Sequence, residues 1–217
     1  MARLPTDLRQ RIAARWKEAA SAPDPATAAV LAASVRARHP GFVRAVLADV
    51  QTTAAFRGDR WEFRSDRERA VQAVRLAFVT DSFFAQICYR AKARCQARGI
   101  PLLDRVFHRL AIVTGQICIG DPVVVQPGVY IPHGQVVVDG ITDIGTGVVL
   151  TPFVTIGLVA GQVRGPIIGD HVSIGTGAKF LGPVQVGANA VIGANAVVLS
   201  DVPRGATAVG VPARLVE

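Results

Sequence analysis

Residues 128–140 read GVYIPHGQVVVDG, which places one imidazole, His133, inside a run of alternating apolar residues, between Pro132 and Gly134. An imidazole changes charge close to neutral pH, so a histidine held at a bend can take a proton from a hydroxyl and give it back. Taken alone, the stretch fits a surface histidine at a strand corner better than a catalytic one. The other candidates are scattered. His39 and His108 fall in stretches with helical spacing and read as surface or helix-end residues, and His171 falls at a turn. Arg164 stands in GLVAGQVRGP, residues 157–166, where an arginine by itself is a solvated side chain. Cys88, Cys95 and Cys118 are too few and too unevenly spaced for a disulfide framework or a metal site, so no metal is expected.

Composition narrows the classes of partner. The 217 residues suit one or two domains. The net charge of +8 comes from arginines concentrated in the first half, in helical spacing rather than a block, and favours anionic partners. Aromatic residues make up only 6 % and do not interleave with the basic ones, which argues against a single-strand binding platform and against nucleic acid as a partner. The apolar runs fall far short of the roughly 20 residues that span a bilayer, and no apolar stretch of signal-peptide length follows Met1. The expectation is a reduced, cytoplasmic protein with no membrane partner.

Two halves with different periodicities must position these side chains. Residues 1–112 read as a helical domain. TDLRQRIAARWKEAA (6–20) spaces Leu8, Ile12 and Trp16 on one face behind Thr6 and Asp7 as candidate caps. One or two helices follow, interrupted at His39-Pro40-Gly41. SDRERAVQAVRLAFVTDSFFAQICYRAKARCQARG reads as one long helix, with an apolar face through Val71, Val74 and Phe78 and a stop at Gly99. PLLDRVFHRLAIVTG adds a last one.

From about residue 117 the period becomes six. Ile168, Ile174, Phe180, Val186, Ile192 and Val198 are spaced by six residues, and Val172, Ala178, Val184, Ala190 and Ala196 stand two positions before the last five. The same register runs through Ile119, Val125, Ile131 and Val137, slips by one near 138–143, and resumes at Ile144, Leu150 and Ile156. A period of six suits neither a helix nor simple strand alternation. It is the signature of a hexapeptide β-helix, in which three hexads close one triangular coil and each coil is buried against its neighbours. The fold class is therefore α+β: a helical domain over 1–112, a β-helix over 113–203 with a loop ejected at 157–167, and a tail over 204–217. The slip marks a bulge or widened corner, and the ejected loop is a natural site for function.

The stretches IPHGQVVVDG, FVTIG and RGPIIGDHVSIGTGAKFLGPVQVGANAVIGANAVVLSDVPRGATAVGVPARLV resemble the serine O-acetyltransferases among the left-handed β-helix acyltransferases. The resemblance implies left-handed coils, a homotrimer or dimer of trimers with active sites between neighbouring subunits, and acetyl transfer from acetyl-CoA to the hydroxyl of L-serine or a related hydroxy amino acid. It implies His133 as the general base, Arg164 as the grip on the substrate carboxylate, and acetyl-CoA running past Gly157, Thr176 and Ala194 with Lys179 and Arg204 near its phosphates. A serine hydroxyl is a weak nucleophile at neutral pH, which is why such a reaction needs a base and preorganised donors for the oxyanion.

The departures bear on the acceptor. The family has an aspartate where Pro132 stands and a second histidine where Gly165 stands, both on the substrate side. The aspartate that orients the base, fifteen residues upstream of it, falls on Cys118, with Asp121 and Asp139 as possible substitutes. An acidic contact to serine from the helical half corresponds to Asp66 or Asp81. An acceptor other than serine (a modified amino acid, an amino sugar or a carrier-bound group) is the alternative, as is a non-catalytic scaffold. The ending ARLVE departs from the isoleucine-terminated tail with which the family docks onto the sulfhydrylase of cysteine biosynthesis.

Overall fold

The computed structural model describes residues 25–159 and 162–216; the helix expected over residues 6–20, with Trp16, lies outside them. Helices α1 (Pro25–Arg38) and α2 (Phe42–Phe56) are separated at His39-Pro40-Gly41, where proline removes a backbone donor and restricts the residue before it. Helix α3 (Asp66–Val79) begins at Ser65, whose hydroxyl accepts from the Glu68 N–H at 3.2 Å, while the Glu68 carboxylate accepts from the Arg64 N–H at 2.9 Å. The first of these bonds satisfies a donor that the first turn leaves open, and the second ties the preceding residue to the same turn. The expected long helix is in fact two, because α3 stops at Val79 and α4 (Phe83–Ala97) begins after three intervening residues. The break is chemical. The Thr80 hydroxyl accepts from the Phe83 N–H at 3.1 Å, so a side chain captures a donor at the start of the next helix. Val71, Val74 and Phe78 also lie on the outer face of α3, Phe78 being 86 % exposed, and it is Ala73 and Leu76 that α3 buries. Helix α5 (Leu103–Gly115) leads into the strands.

The strands wind a parallel solenoid with three faces. The first face stacks β1 (Ile117–Ile119), β3 (Val136–Val138), β6 (Thr155–Gly157), β9 (Lys179–Leu181) and β12 (Val197–Val198). The second stacks β2 (Val123–Val125), β4 (Ile141–Ile144), β7 (Arg164–Ile168) and β10 (Gln185–Val186). The third stacks β5 (Val149–Leu150), β8 (Ser173–Ile174), β11 (Val191–Ile192), β13 (Thr207–Val209) and β14 (Arg214–Val216), with Tyr130 bridging to Val149 beneath them. All pairings along these faces are parallel except the last, where β14 runs antiparallel on β13.

The hexad register points inward as expected from Ile144 onward: Ile144, Leu150, Ile156, Ile168, Ile174, Phe180, Val186, Ile192 and Val198 are each at most 2 % exposed. Full burial of each such side chain is worth roughly 1.5–3 kcal/mol. One expectation fails. Val137 is 42 % exposed, while Val136 and Val138 are buried. The slip therefore lies earlier than 138–143, at the corner 132–135, because the inward row passes from Ile131 to Val138. Ile117 faces Val136, an advance of 19 residues, whereas Val138 faces Ile156, an advance of 18. The extra residue is in the corner that carries His133. A second irregularity sits between β4 and β7, where Ile141 and Asp143 face Arg164 and Ile167, so β7 carries one residue more than its partner.

The helical half closes the solenoid's first coil. Along α4 and the residue before it, Ser82 donates to the Ile131 carbonyl, Gln86 to Val129 at 2.9 Å, Tyr89 to Val123 at 3.2 Å, Arg90 to Gln126 at 2.8 Å and Lys92 to Ile119 at 2.6 Å. Asp49 of α2 binds Arg90 at 2.8 Å and accepts from the N–H groups of Gly128 and Val129. Burial would lower the Arg90 guanidinium, and Asp49 beside it more than offsets this, leaving it above its ordinary value. Both charges are almost fully buried.

Two predictions follow from this junction. Arg90→Met strands the buried Asp49 charge and is expected to cost about 3–5 kcal/mol, read from the midpoint of urea unfolding. His39, behind α1, has both ring nitrogens buried without a partner, and burial, reinforced by Lys92, Arg90 and Arg38, pulls it from its ordinary 6.5 down to about 4. Between those values the unfolded chain takes up a proton that the folded one refuses, so stability falls as pH drops through that window. In His39→Leu, thermal melting between pH 4 and 6.5 should depend less on pH.

Candidate functional site

His133 lies on the edge between the third and first faces, in the corner that holds the extra residue. The corner is clamped from below. The Gln116 carbonyl, just past the end of α5, accepts from the Gln135 N–H at 3.1 Å and the Val136 N–H at 3.2 Å. Gly134 explains the sequence context of the histidine: a Cβ there would lie 1.7 Å from the Gly115 carbonyl oxygen. Gly115 is equally crowded, since a Cβ on it would lie 2.6 Å from that of Ala85 and 3.2 Å from the Asp81 carbonyl oxygen. Two glycines thus let the corner, the end of α5 and the start of α4 meet backbone to backbone.

That closeness brings a carboxylate to the imidazole. His133 Nδ1 is 2.8 Å from Asp81 Oδ2, and the neighbouring Ser82 holds the Ile131 carbonyl two residues before the histidine. Both side chains remain open, with His133 62 % and Asp81 75 % exposed. Of the two acidic candidates in the helical half, Asp81 is therefore the one that meets the imidazole. Asp66 is on the first turn of α3, paired with Arg69 at 2.9 Å. The substitutes expected within the β-helix are engaged elsewhere, on the edge between the first and second faces. Asp121 pairs with the buried Lys92 at 2.9 Å, and Asp139 accepts from the Gly140 N–H at 2.7 Å. Cys118 is half-buried on the outer side of β1.

Two of the expected positions share His133's edge. Thr176 follows β8 and Ala194 follows β11, both exposed in corners stacked above it. Backbone bonds continue up this edge from Phe153 N–H to Gln135 carbonyl at 2.9 Å, Gly177 to Pro152 at 2.9 Å and Asn195 to Thr176 at 2.8 Å. Gly157 and Arg164 lie on the opposite edge of the first face, at the end of β6 and the start of β7. The loop there is shorter than the 157–167 expected, since both of those residues are in strands. Arg164 is exposed, and within one chain the width of the first face separates it from His133. Gly165 is buried, with a Cβ position 2.1 Å from Thr142 Oγ1, so the bulged strand has no room for a side chain there. Lys179 turns its ammonium to the Phe153 carbonyl at 2.5 Å, and Arg204 is exposed on the remaining edge, as is His171.

Asp81 also stands at the rim of an open groove of about 610 Å³ lined by Val74, Phe78, Phe84, Ile87 and Thr114. Neither this groove nor the choice of Asp81 over Asp66 was evident from the spacing of residues. The available signal was Thr80-Asp81-Ser82, three side chains that compete for backbone donors in the middle of a helical run.

The description "Bacterial transferase hexapeptide (six repeats)" matches residues 165–200. A serine acetyltransferase of Helicobacter pylori (strain J99) is 40 % identical over 136 residues, covering 61 % of this chain and 79 % of its own length. A serine acetyltransferase of Synechococcus elongatus is 35 % identical over 137 residues, and there the match spans 62 % of this chain but only 56 % of the relative. Among solved structures, a serine acetyltransferase in complex with CoA superposes with a TM-score of 0.68 at 28 % identity, over 84 % of this chain and 73 % of that one.

The packing at the corner makes a direct prediction. Gly134→Ala forces its methyl group into the Gly115 carbonyl and is expected to cost about 1–3 kcal/mol in urea unfolding, whereas Gly41→Ala, with open space around its Cβ and an ordinary negative φ, should not show that steric cost.

Proposed function

The chain belongs to the serine acetyltransferase family, and from that premise we propose that it transfers the acetyl group of acetyl-CoA to the hydroxyl of L-serine, with His133 as the general base. The observation that carries this reading is an exposed imidazole, braced by a carboxylate, on the same edge of the solenoid as Thr176 and Ala194. The imidazole takes the hydroxyl proton as the serine oxygen attacks the thioester carbonyl. The C–S bond then breaks, and the imidazolium returns the proton to the departing CoA thiolate. No acyl-enzyme is needed, so the base needs no nucleophilic side chain beside it.

Arg164 serves as the carboxylate grip, which a planar two-pronged guanidinium does well. Because it stands across the first face from His133, the complete site requires two copies of the chain, one offering its His133 edge and its neighbour the Arg164 edge. A homotrimer, alone or paired as a dimer of trimers, repeats that junction three times about its axis.

A second reading of the acceptor has its own support. Pro132 and Gly165 remove two polar side chains, and the apolar groove opens beside Asp81. A hydroxy amino acid with a larger apolar group would place that group among Val74, Phe78 and Phe84.

Thiol release from acetyl-CoA separates these readings. L-serine should support turnover, and His133→Ala should lower it by on the order of 10²–10⁴-fold. Arg164→Lys should raise KM for serine more than KM for acetyl-CoA. Mixed oligomers of His133→Ala and Arg164→Ala chains should recover part of the activity that each variant lacks alone. Turnover confined to bulkier hydroxy amino acids would favour the second acceptor.

A further inference from the structure

The base is described, but what fixes its ring is a separate question, and the contact that answers it comes from outside the solenoid. We infer that Asp81 is the positioning residue for His133, holding its proton on Nδ1 and presenting Nε2, unprotonated, to the acceptor hydroxyl. The inference rests on the general-base role proposed for His133.

The argument is geometric. A carboxylate only accepts, so a 2.8 Å approach of Asp81 Oδ2 to Nδ1 makes Nδ1 the donor. In a neutral imidazole the other nitrogen then carries the lone pair, and it is the one directed away from Asp81. The carboxylate is itself held in place. Thr80, before it, donates its hydroxyl to the Leu76 carbonyl at 2.8 Å and accepts from the Phe83 N–H, and Ser82, after it, is buried against the Ile131 carbonyl. Two consecutive residues of the α3–α4 break thus engage the two ends of the Ile131–His133 segment, with Gly115 and Gly134 permitting the approach.

The alternatives within reach of the first face are accounted for: Asp121 is bound to Lys92 and Asp139 to its own turn. No other carboxylate pairs with His133 among the described residues. The pair is also exposed on both sides, so it adds little to stability, and a fold needing only docking would not require it. Its consequence is chemical. It makes the tautomer of the base depend on the helical half.

The test uses the full-length protein and two readouts. In histidine-labelled protein, ¹⁵N spectra distinguish the ring tautomers, and with only four histidines the His133→Ala spectrum identifies the signal of interest. At a pH where the ring is neutral, His133 should carry its proton on Nδ1, and Asp81→Asn should move it largely to Nε2. In the same variant kcat should fall by on the order of 10- to 1000-fold, with KM for acetyl-CoA and the melting temperature little changed. Asp81→Glu, which keeps the carboxylate, should recover part of kcat. An unchanged tautomer in Asp81→Asn, or an unchanged kcat, would overturn the assignment. The ring signal reads the contact whether or not the wild type acetylates serine, so a silent wild type would count against the proposed function and leave the contact separately measured.

Discussion

A parallel solenoid is open at both ends, and at the first coil the downward-facing carbonyls and N–H groups have no coil beneath them. Everything else in this chain depends on how that edge is closed. The closure is a row of polar side chains on one helix, Ser82, Gln86, Tyr89, Arg90 and Lys92, each donating to a carbonyl of the coil, with Asp49 receiving the two N–H groups that face the same way. An unpaired backbone group in that setting would cost about as much as a lost hydrogen bond, so the row must be nearly complete. Burial pushes the Tyr89 hydroxyl up to about 12 and lowers the Lys92 ammonium against the opposing pull of Asp121, consequences of using charged and phenolic groups as backbone caps.

The same docking decides where the candidate site can exist. The helix begins over the Ile131–His133 segment, and the residue just before its cap is Asp81. A shift of the helix along the coil would move both Ser82 from its carbonyl and Asp81 from the imidazole. The glycine pair at 115 and 134 sets the closeness of that approach, and the extra residue at the corner lets the histidine project from an otherwise regular stack. The site is therefore a product of the junction between two halves that look independent in sequence.

Much of the solenoid could be read directly, because a hexad repeat is periodic over many coils and each inward position obeys the same steric rule. Ile144 through Val198 behave as that rule requires. Where the rule meets a local exception, the reading drifts. Val137 falls on the inward register of the sequence because the extra residue at 132–135 cannot be seen until the next coil is laid against it. The helical half was less legible for a different reason. Its helices bury polar side chains against backbone, so Gln86, Arg90 and Lys92 do not look like core, while Val71, Val74 and Phe78 look like core and are exposed. His133 and its glycine were visible in one short stretch. Its partner, 52 residues away, needed the break at Thr80-Asp81-Ser82 to be recognised as two capped ends rather than one continuous helix.

The far end of the solenoid carries a consequence of its own. The strand Arg214–Val216 reverses direction on β13, and the segment leading into it covers β12, where Val197 donates to the Gly210 carbonyl and accepts from the Ala213 N–H. A stack of parallel strands is in principle a seed for endless growth, since each exposed rung templates the next. Here one terminus is stoppered by a helix and the other by a chain that turns back on itself. Identical molecules are thereby kept from extending one another's parallel stack, rung upon rung, into a filament.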